Sequence, residues 1–196
     1  MATTNSLSEF KSVLKGGGAR PNLFEVEIPG FPGSTKESQT DIQFLVKGAQ
    51  LPESTVGLVE VPFRGRTFKV AGDRTFAPWS ITVINDTDFA IRNSMEDWMQ
   101  TIAQYQDGSG ATLPTEYMRS AEVTQLFRNK TDMKKTGGND IRNNTNYAGR
   151  YKFYDIWPTS VSAIDLSYDS SDTIEEFTVE FQVNYWAPLR KKDKGD

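Results

Sequence analysis

The most restrictive feature of the sequence is a strict alternation of apolar and polar residues near its C-terminus. Residues 177–185 place five apolar side chains on one face and four polar side chains on the other. A period of two over this length is typical of a strand in an antiparallel sheet, with one buried face and one solvated face. The apolar face comprises Phe177, Val179, Phe181, Val183 and Tyr185, and the polar face comprises Thr178, Glu180, Gln182 and Asn184.

The rest of the chain predicts more strands and one helix. Alternating or apolar runs predict strands at 24–28, 42–46, 67–70, 79–84 and 121–127, and the polar turn 30–41 would join the first two as a hairpin. The helix, at about 88–105, is indicated by an apolar stripe with steps of three and four residues. The stripe comprises Ile91, Met95, Trp98, Ile102 and Tyr105. About eight strands with one helix predict an antiparallel β-sandwich or barrel with one flanking α-helix.

The domain organisation follows from breaks in this pattern. We expect a flexible N-terminal arm over residues 1–20, in which Phe10, Val13 and Leu14 either form one helical turn or belong to a frayed terminus. One β-sandwich domain would cover 21–186, with an inserted polar loop at about 129–149. Residues 187–196 would form a charged C-terminal extension.

Composition excludes most catalytic chemistry. The 196 residues include neither His nor Cys, so catalysis by an imidazole or a thiolate and metal binding by these groups are excluded. Asp169, Asp172 and Glu175 do not have the spacing of an EF-hand loop, so we expect no catalytic residue, cofactor or metal. The formal net charge of −4 gives no general attraction to nucleic acid. We expect neither a signal peptide nor a membrane segment.

Gly72, Asp73 and Arg74 are interpreted as a tight structural turn.

Three segments, in this order and spacing, carry a resemblance to a known family. The first is 19–28, ARPNLFEVEI; the second is 70–76, VAGDRTF, followed by Trp79 and by 82–86 leading into the helix that holds Trp98. The third runs from 156–159, IWPT, through Asp165 and Tyr168 to 174–177 and 184–186. Together they resemble the major tail tube proteins of contractile-tailed bacteriophages over residues 19–186.

The resemblance implies a structural virion protein and not an enzyme. Family members fold as a β-sandwich with one flanking helix, close into hexameric rings and stack into the tube inside the contractile sheath. The tube encloses a tape-measure protein, ends at baseplate and terminator proteins, and conducts double-stranded DNA without specific binding. Such a protein would be assembled in the bacterial host cytoplasm. The same fold forms the inner tubes of R-type pyocins and of type VI secretion systems. Segments 30–41, 129–149 and 187–196 depart from the family pattern, and their orientation and role are left open.

The resemblance also suggests roles for two groups of residues. The family's long loop after the second strand packs on the adjacent ring, so we expect inter-ring stacking by Leu51, Val56, Leu58 and Val59; an intramolecular lid over the sandwich is the alternative. Residues 153–189 lack Lys and Arg and hold seven carboxylates. The polar face Thr178, Glu180, Gln182 and Asn184 would therefore line a lumen that repels DNA, or else be an ordinary solvated face.

Two other functions compete with this interpretation. A different component with the same fold, such as a baseplate, terminator or secretion-tube subunit, would share the resemblance. A carbohydrate-binding or glycoside-cleaving β-sandwich would need only carboxylates and exposed aromatic side chains. Its candidate aromatic residues are Tyr105, Tyr117, Tyr147 and Tyr168.

Overall fold

The computed structural model of the chain describes residues 7–14, 19–126, 147–169 and 172–189. Most of the predicted polar loop at 129–149 therefore lies outside the described residues, as do 190–196 of the predicted extension and 1–6 and 15–18 of the predicted arm. In chain order the elements are α1 (Leu7–Val13), β1 (Phe24–Glu27), α2 (Lys36–Leu45), β2 (Val46–Ala49), β3 (Ser54–Phe63), β4 (Arg66–Phe76), β5 (Trp79–Ile84), α3 (Ala90–Ile102), α4 (Pro114–Tyr117), β6 (Arg119–Leu126), β7 (Tyr147–Val161), β8 (Glu176–Gln182) and β9 (Tyr185–Pro188).

Seven strands form one antiparallel hydrogen-bonded arrangement that folds into two layers. The strand order is β1-β6-β7-β8-β5-β2, and β9 also pairs with β7. The first part of β7 pairs with β6 and β9, whereas its last part pairs with β8. We name the two layers sheet A (β1, β6, β9 and the first part of β7) and sheet B (β2, β5, β8 and the last part of β7). The predicted mainly β, antiparallel fold is confirmed.

Strand β7 changes layer next to Asp155, between Ile156, which still pairs with Arg119 of β6, and Trp157. Asp155 has a φ of 54°, in the left-handed region that a short polar side chain tolerates better than most. On its N-terminal side Phe153 pairs with Trp186 of β9, and on its C-terminal side Trp157 pairs with Gln182 of β8. This left-handed residue bends the strand two residues before its pairing with β8 begins.

The core lies between the two sheets and is rich in aromatic rings. Trp79 of sheet B stacks on Phe153 of sheet A with ring centroids 4.6 Å apart, and it contacts Phe181 at 5.3 Å. All three side chains are fully buried. Burial of a large apolar side chain contributes roughly 1.5–3 kcal/mol, so these rings account for much of the adhesion between the layers.

Helix α3 closes the core with most of its predicted apolar stripe. Ile91, Met95 and Trp98 are buried, and the Trp98 indole Nε1–H donates to the Tyr117 carbonyl at 2.7 Å. Trp98 also stacks on Phe31, with ring centroids 5.3 Å apart. Tyr105 lies past the end of the helix and is exposed, because the chain leaves helical geometry at Ala103.

The predicted hairpin between 24–28 and 42–46 is wrong. Most of the second segment belongs to helix α2, and β2 pairs with β5 instead of β1. The helix begins because Thr35 and Ser38 form a capping box: the Thr35 hydroxyl accepts from the Ser38 backbone N–H at 3.0 Å, and the Ser38 hydroxyl accepts from the Thr35 N–H at 2.9 Å. The segment interpreted as a polar turn thus holds a helix start, and Ile42 anchors the helix in the core.

The strand predicted at 177–185 is in fact two strands. Strand β8 ends at Gln182, the chain bends at Asn184, and Tyr185 begins β9 in the other sheet. Tyr185 therefore does not share the buried face of Phe177; it is 44% exposed and stacks on Tyr154 with ring centroids 4.5 Å apart. The alternation of apolar and polar residues continues through the bend because the residues on both sides of it belong to strands, so the pattern does not reveal the bend.

Candidate assembly surfaces

Strands β3 and β4 form a hairpin that stands apart from both sheets. Among the described residues they pair only with each other, and Arg64 and Gly65 connect them with φ values of 45° and 79°. Two successive positive φ angles are typical of the tight turns that match strand twist. All residues from 55 to 71 are exposed. A two-stranded hairpin with no core behind it is at best marginally stable alone, so this one needs a partner surface.

The two faces of the hairpin differ in chemistry. The register places Val59, Val61 and Phe63 on the same face as Phe68 and Val70. The face is apolar except for Arg66, which pairs with Phe63 beside the turn, and Phe63 and Phe68 are 64% and 66% exposed.

The opposite face is mixed. It carries Leu58 and Ala71 together with an ion pair between Glu60 and Lys69 at 3.7 Å. An exposed apolar strip of this size is typical of a protein interaction site, so the first face is the stronger candidate surface.

The four predicted stacking residues all belong to this region. Leu51 lies in the connection before β3, Val56 and Leu58 point to the mixed face, and Val59 points to the apolar face. Each is about half exposed, so these side chains do not serve as a lid over the core. Their role in stacking stays a prediction. Sequence analysis missed Val61 and Phe63 as candidates, although their alternation with Glu60 and Pro62 was a usable signal.

The predicted tight turn at Gly72, Asp73 and Arg74 is wrong, because all three residues lie inside strand β4. The register shifts there, with Gly72 and Asp73 both opposite Gly57. This is a β-bulge, and it requires close backbone approach: a Cβ on Gly72 would lie 3.1 Å from the Gly57 carbonyl carbon. Gly72 is therefore required by a β-bulge within the strand and not by a turn that reverses the chain.

The outward face of sheet B is polar and nearly free of positive charge. Thr178, Glu180 and Gln182 of β8 alternate with its buried residues, and Ser80 of β5 and Ser160 of β7 lie beside Glu180. At the edge of the sheet, the Lys47 ammonium is paired with the Glu176 carboxylate at 2.6 Å.

Asn184 lies outside this face, in the bend that follows β8, so the structure does not bring it together with the other three predicted lumen residues. That Thr178, Glu180 and Gln182 line a lumen stays a prediction.

The outward face of sheet A is charged in both signs. Glu122 forms ion pairs with Arg150 and with Lys152, the latter at 3.5 Å. Burial raises the pKa of the neighbouring Glu25 carboxyl, the nearby Glu27 raises that pKa further, and Arg150 opposes the shift. The charges compensate one another within the sheet, in contrast to the hydroxyl-rich face of sheet B.

The described residues offer no constellation typical of an enzyme. No group of three or more acidic side chains among them could hold a metal ion. Tyr105 and Tyr168 are exposed, but Tyr117 packs edge-on against Trp157 at 6.1 Å, and no ring contact joins these three tyrosines in the part of the chain that is described. The Tyr147 side chain lies outside that part. No helix in the described segments is both long and apolar enough to cross a membrane.

Comparisons with known proteins agree on one family. The profile described as phage tail tube protein matches residues 19–188. Tail tube protein gp19 of Enterobacteria phage T4 is 33% identical over 168 residues, which are 86% of this chain and 90% of that protein. Its counterpart in Enterobacteria phage T6 is 32% identical over the same shares of both chains.

Solved structures share the fold at low sequence identity. A chain of the sheath–tube complex of the PVC extracellular contractile injection system, in its extended state, has a TM-score of 0.57 and 12% identity, with 94% of this chain and 98% of that chain covered. A chain of the sheath/tube terminator from the same system has a TM-score of 0.59 and 10% identity, with 88% and 97% covered.

Proposed function

Since the chain belongs to the phage tail tube protein family, we propose that its copies close into hexameric rings that stack as the inner tube of a contractile tail. Its work is structural and not enzymatic, and the tube is a part of the virion. In this proposal the sheath surrounds the tube and the baseplate and terminator proteins meet its ends. The tape-measure protein and then double-stranded DNA occupy the lumen.

The observation that carries the proposal is the exposed hairpin β3–β4. Its apolar face, with Phe63 and Phe68 about two-thirds exposed, has no covering element in the described chain. A second copy of the chain is the partner that a self-assembling tube supplies in every ring. We propose that Leu51, Val56, Leu58 and Val59 contribute to ring stacking together with that apolar face.

The chemistry of sheet B supports its assignment to the lumen. Affinity for DNA comes from clustered Lys and Arg, each of which neutralises a phosphate. On the outward face of β8, Glu180 lies between Thr178 and Gln182, and the other charged side chain of this face, Glu176, is also acidic. A lumen wall of hydroxyl, amide and carboxylate groups would let DNA pass without holding it.

A terminator function is the second candidate, because the fold alone does not distinguish it. The TM-score to a terminator chain, 0.59, is as high as that to a chain of the sheath–tube complex, 0.57. The relatives that share a third of their residues with this chain are tail tube proteins, which favours the tube. A carbohydrate-binding function has no comparable support.

Electron microscopy of the purified protein tests the proposal. We expect long hollow tubes of uniform width from the unaltered chain. Leu58→Asp should remain folded, with an unchanged circular dichroism spectrum, but form no tubes, because a buried unpaired charge is costly at a packed interface. Leu113→Asp is the matched control: Leu113 is 59% exposed against 57% for Leu58, but it lies outside the hairpin.

Other outcomes would change the conclusion. Single rings that never lengthen would favour the terminator function. Absence of this chain from tubes isolated out of contracted tails would contradict the proposal as a whole.

A further inference from the structure

The hairpin and the segment between β7 and β8 lie at opposite ends of sheet B. The backbone N–H of Ala77 donates to the Glu53 carbonyl at 3.0 Å, which joins the base of the hairpin to the start of β5. At the other end of β5, the Asn85 N–H donates to the Glu175 carbonyl at 2.9 Å. The six residues of β5 separate these two places by about 17–20 Å.

The segment at the second end exposes a group of large apolar side chains. Leu166 is 80% exposed, Ile174 is 71% exposed and Tyr168 is fully exposed. Four carboxylates and no basic residue occur between 162 and 175. We name this surface the acidic end; its described residues are Asp165, Leu166, Tyr168, Asp169, Asp172 and Ile174. No packing within the described chain accounts for these apolar side chains.

The hairpin presents the complementary chemistry. At its turn, the Arg64 guanidinium lies 5.4 Å from the centroid of the Phe63 ring, and Arg66 and Phe68 follow in β4. We name Phe63, Arg64, Arg66 and Phe68 the hairpin tip. Residues 54–76 hold four basic and two acidic residues, a net charge of +2. One surface is apolar and basic, and the other is apolar and acidic.

We propose that the hairpin tip of one copy docks on the acidic end of a second copy. This inference rests on the proposed tube function and assigns the surface that receives the hairpin. The base of the hairpin and the acidic end lie at opposite ends of sheet B, and both surfaces are exposed within one chain, so we expect them to meet between copies. A head-to-tail contact between two different surfaces builds an open filament when its rotation does not close into a ring, and a filament is the geometry of stacked rings.

The charges test this pairing directly. Arg64→Glu with Arg66→Glu reverses the hairpin tip, and Asp169→Lys with Asp172→Lys reverses the acidic end. Either double variant sets like charges against each other, so we expect the critical concentration for tube growth to rise at least about tenfold. Combining all four changes in one chain restores opposite charges, and we expect it to recover tube growth to within a few-fold of the unaltered chain. The readout is the pelleted fraction over a concentration series, with tubes verified by microscopy.

The control is Glu37→Lys with Glu116→Lys, which makes the same charge change at two exposed carboxylates outside both surfaces. We expect this variant to polymerise like the unaltered chain. If the unaltered chain forms tubes and a double reversal does not impair them, or the fourfold variant fails to recover, the docking inference is wrong while the tube function stands. If the unaltered chain forms no tubes under any condition, the proposed function fails and the inference fails with it.

Discussion

At the scale of single residues, Asp155 is the position on which the architecture depends most. It is one of three described non-glycine residues with positive φ, and it lies next to the place where β7 leaves sheet A for sheet B. Left-handed backbone costs most for β-branched side chains, because their Cβ substituents crowd the following carbonyl. Glycine has no such cost.

The left-handed conformation at Asp155 predicts that glycine is tolerated there and valine is not. Asp155→Gly should change the free energy of unfolding by less than about 0.5 kcal/mol, whereas Asp155→Val should lower it by about 1–2 kcal/mol. Urea unfolding followed by tryptophan fluorescence measures both, since Trp79 and Trp98 are buried in the core. Equal stability of the two variants would mean that β7 changes layer without the left-handed residue.

At the scale of elements, the hairpin depends on the bulge where Gly72 and Asp73 oppose Gly57. A Cβ on Gly72 would lie 3.2 Å from the Gly57 carbonyl oxygen and 3.3 Å from a methyl group of Val59. Backbone atoms cannot shift as a flexible side chain can, so a larger residue would force the two strands apart. The sheets of the body do not include these residues.

We therefore expect Gly72→Val to damage assembly without unfolding the body. Its thermal midpoint should stay within about 2 °C of the unaltered chain, because local and global stability are separable, while tube growth should require at least about tenfold more protein. Ala71→Val is the matched control, since Ala71 is the exposed neighbour in the same strand and lies opposite Leu58. A large drop in the Gly72→Val midpoint would show that the hairpin supports the core after all.

Periodicity made some elements predictable and left others hidden. The stripe Ile91–Met95–Trp98 and the alternation through Phe181 are dictated by burial on one side, so sequence pattern alone located α3 and β8. Helix α2 was missed because its start is polar and its cap is the pair Thr35–Ser38, a local hydrogen-bond signal that hydrophobic periodicity does not detect.

The candidate surfaces were only partly predictable. Part of strand β4 was predicted, at 67–70, but β3 was not, because Gly57 and Pro62 occur inside it. Strands that bury neither face have no core to impose an alternating pattern, so exposure on both sides weakened the signal. The Arg64-Gly65 turn was the remaining usable indication. Which end of the sheet the hairpin leaves depends on the pairing of β5 with β8, a long-range contact that sequence pattern does not give.

At the scale of the whole molecule, the proposed tube predicts an effect of reversing the charge at Glu180. Glu180→Lys should assemble normally, because the side chain is exposed and pairs with no described group, but the repeated lysines would attract phosphates. We expect such tubes to retain a short fluorescent DNA duplex in pelleting assays, with retention lost as salt rises. Glu180→Gln is the control and should retain little. Failure of Glu180→Lys tubes to bind the duplex would place Glu180 away from the lumen.

The course of strand β7 affects how the wall of the proposed tube would resist mechanical shear. Two layers joined only by side-chain packing can slip past each other, because each dispersion contact is weak and none is directional. Here a single 15-residue strand runs through both layers, so its peptide bonds cross the plane along which slip would occur. Shear applied to one layer therefore passes into the other through covalent backbone. A cylinder of such subunits would resist twisting, because in every subunit both β7 and the bend between β8 and β9 carry the backbone from one layer to the other.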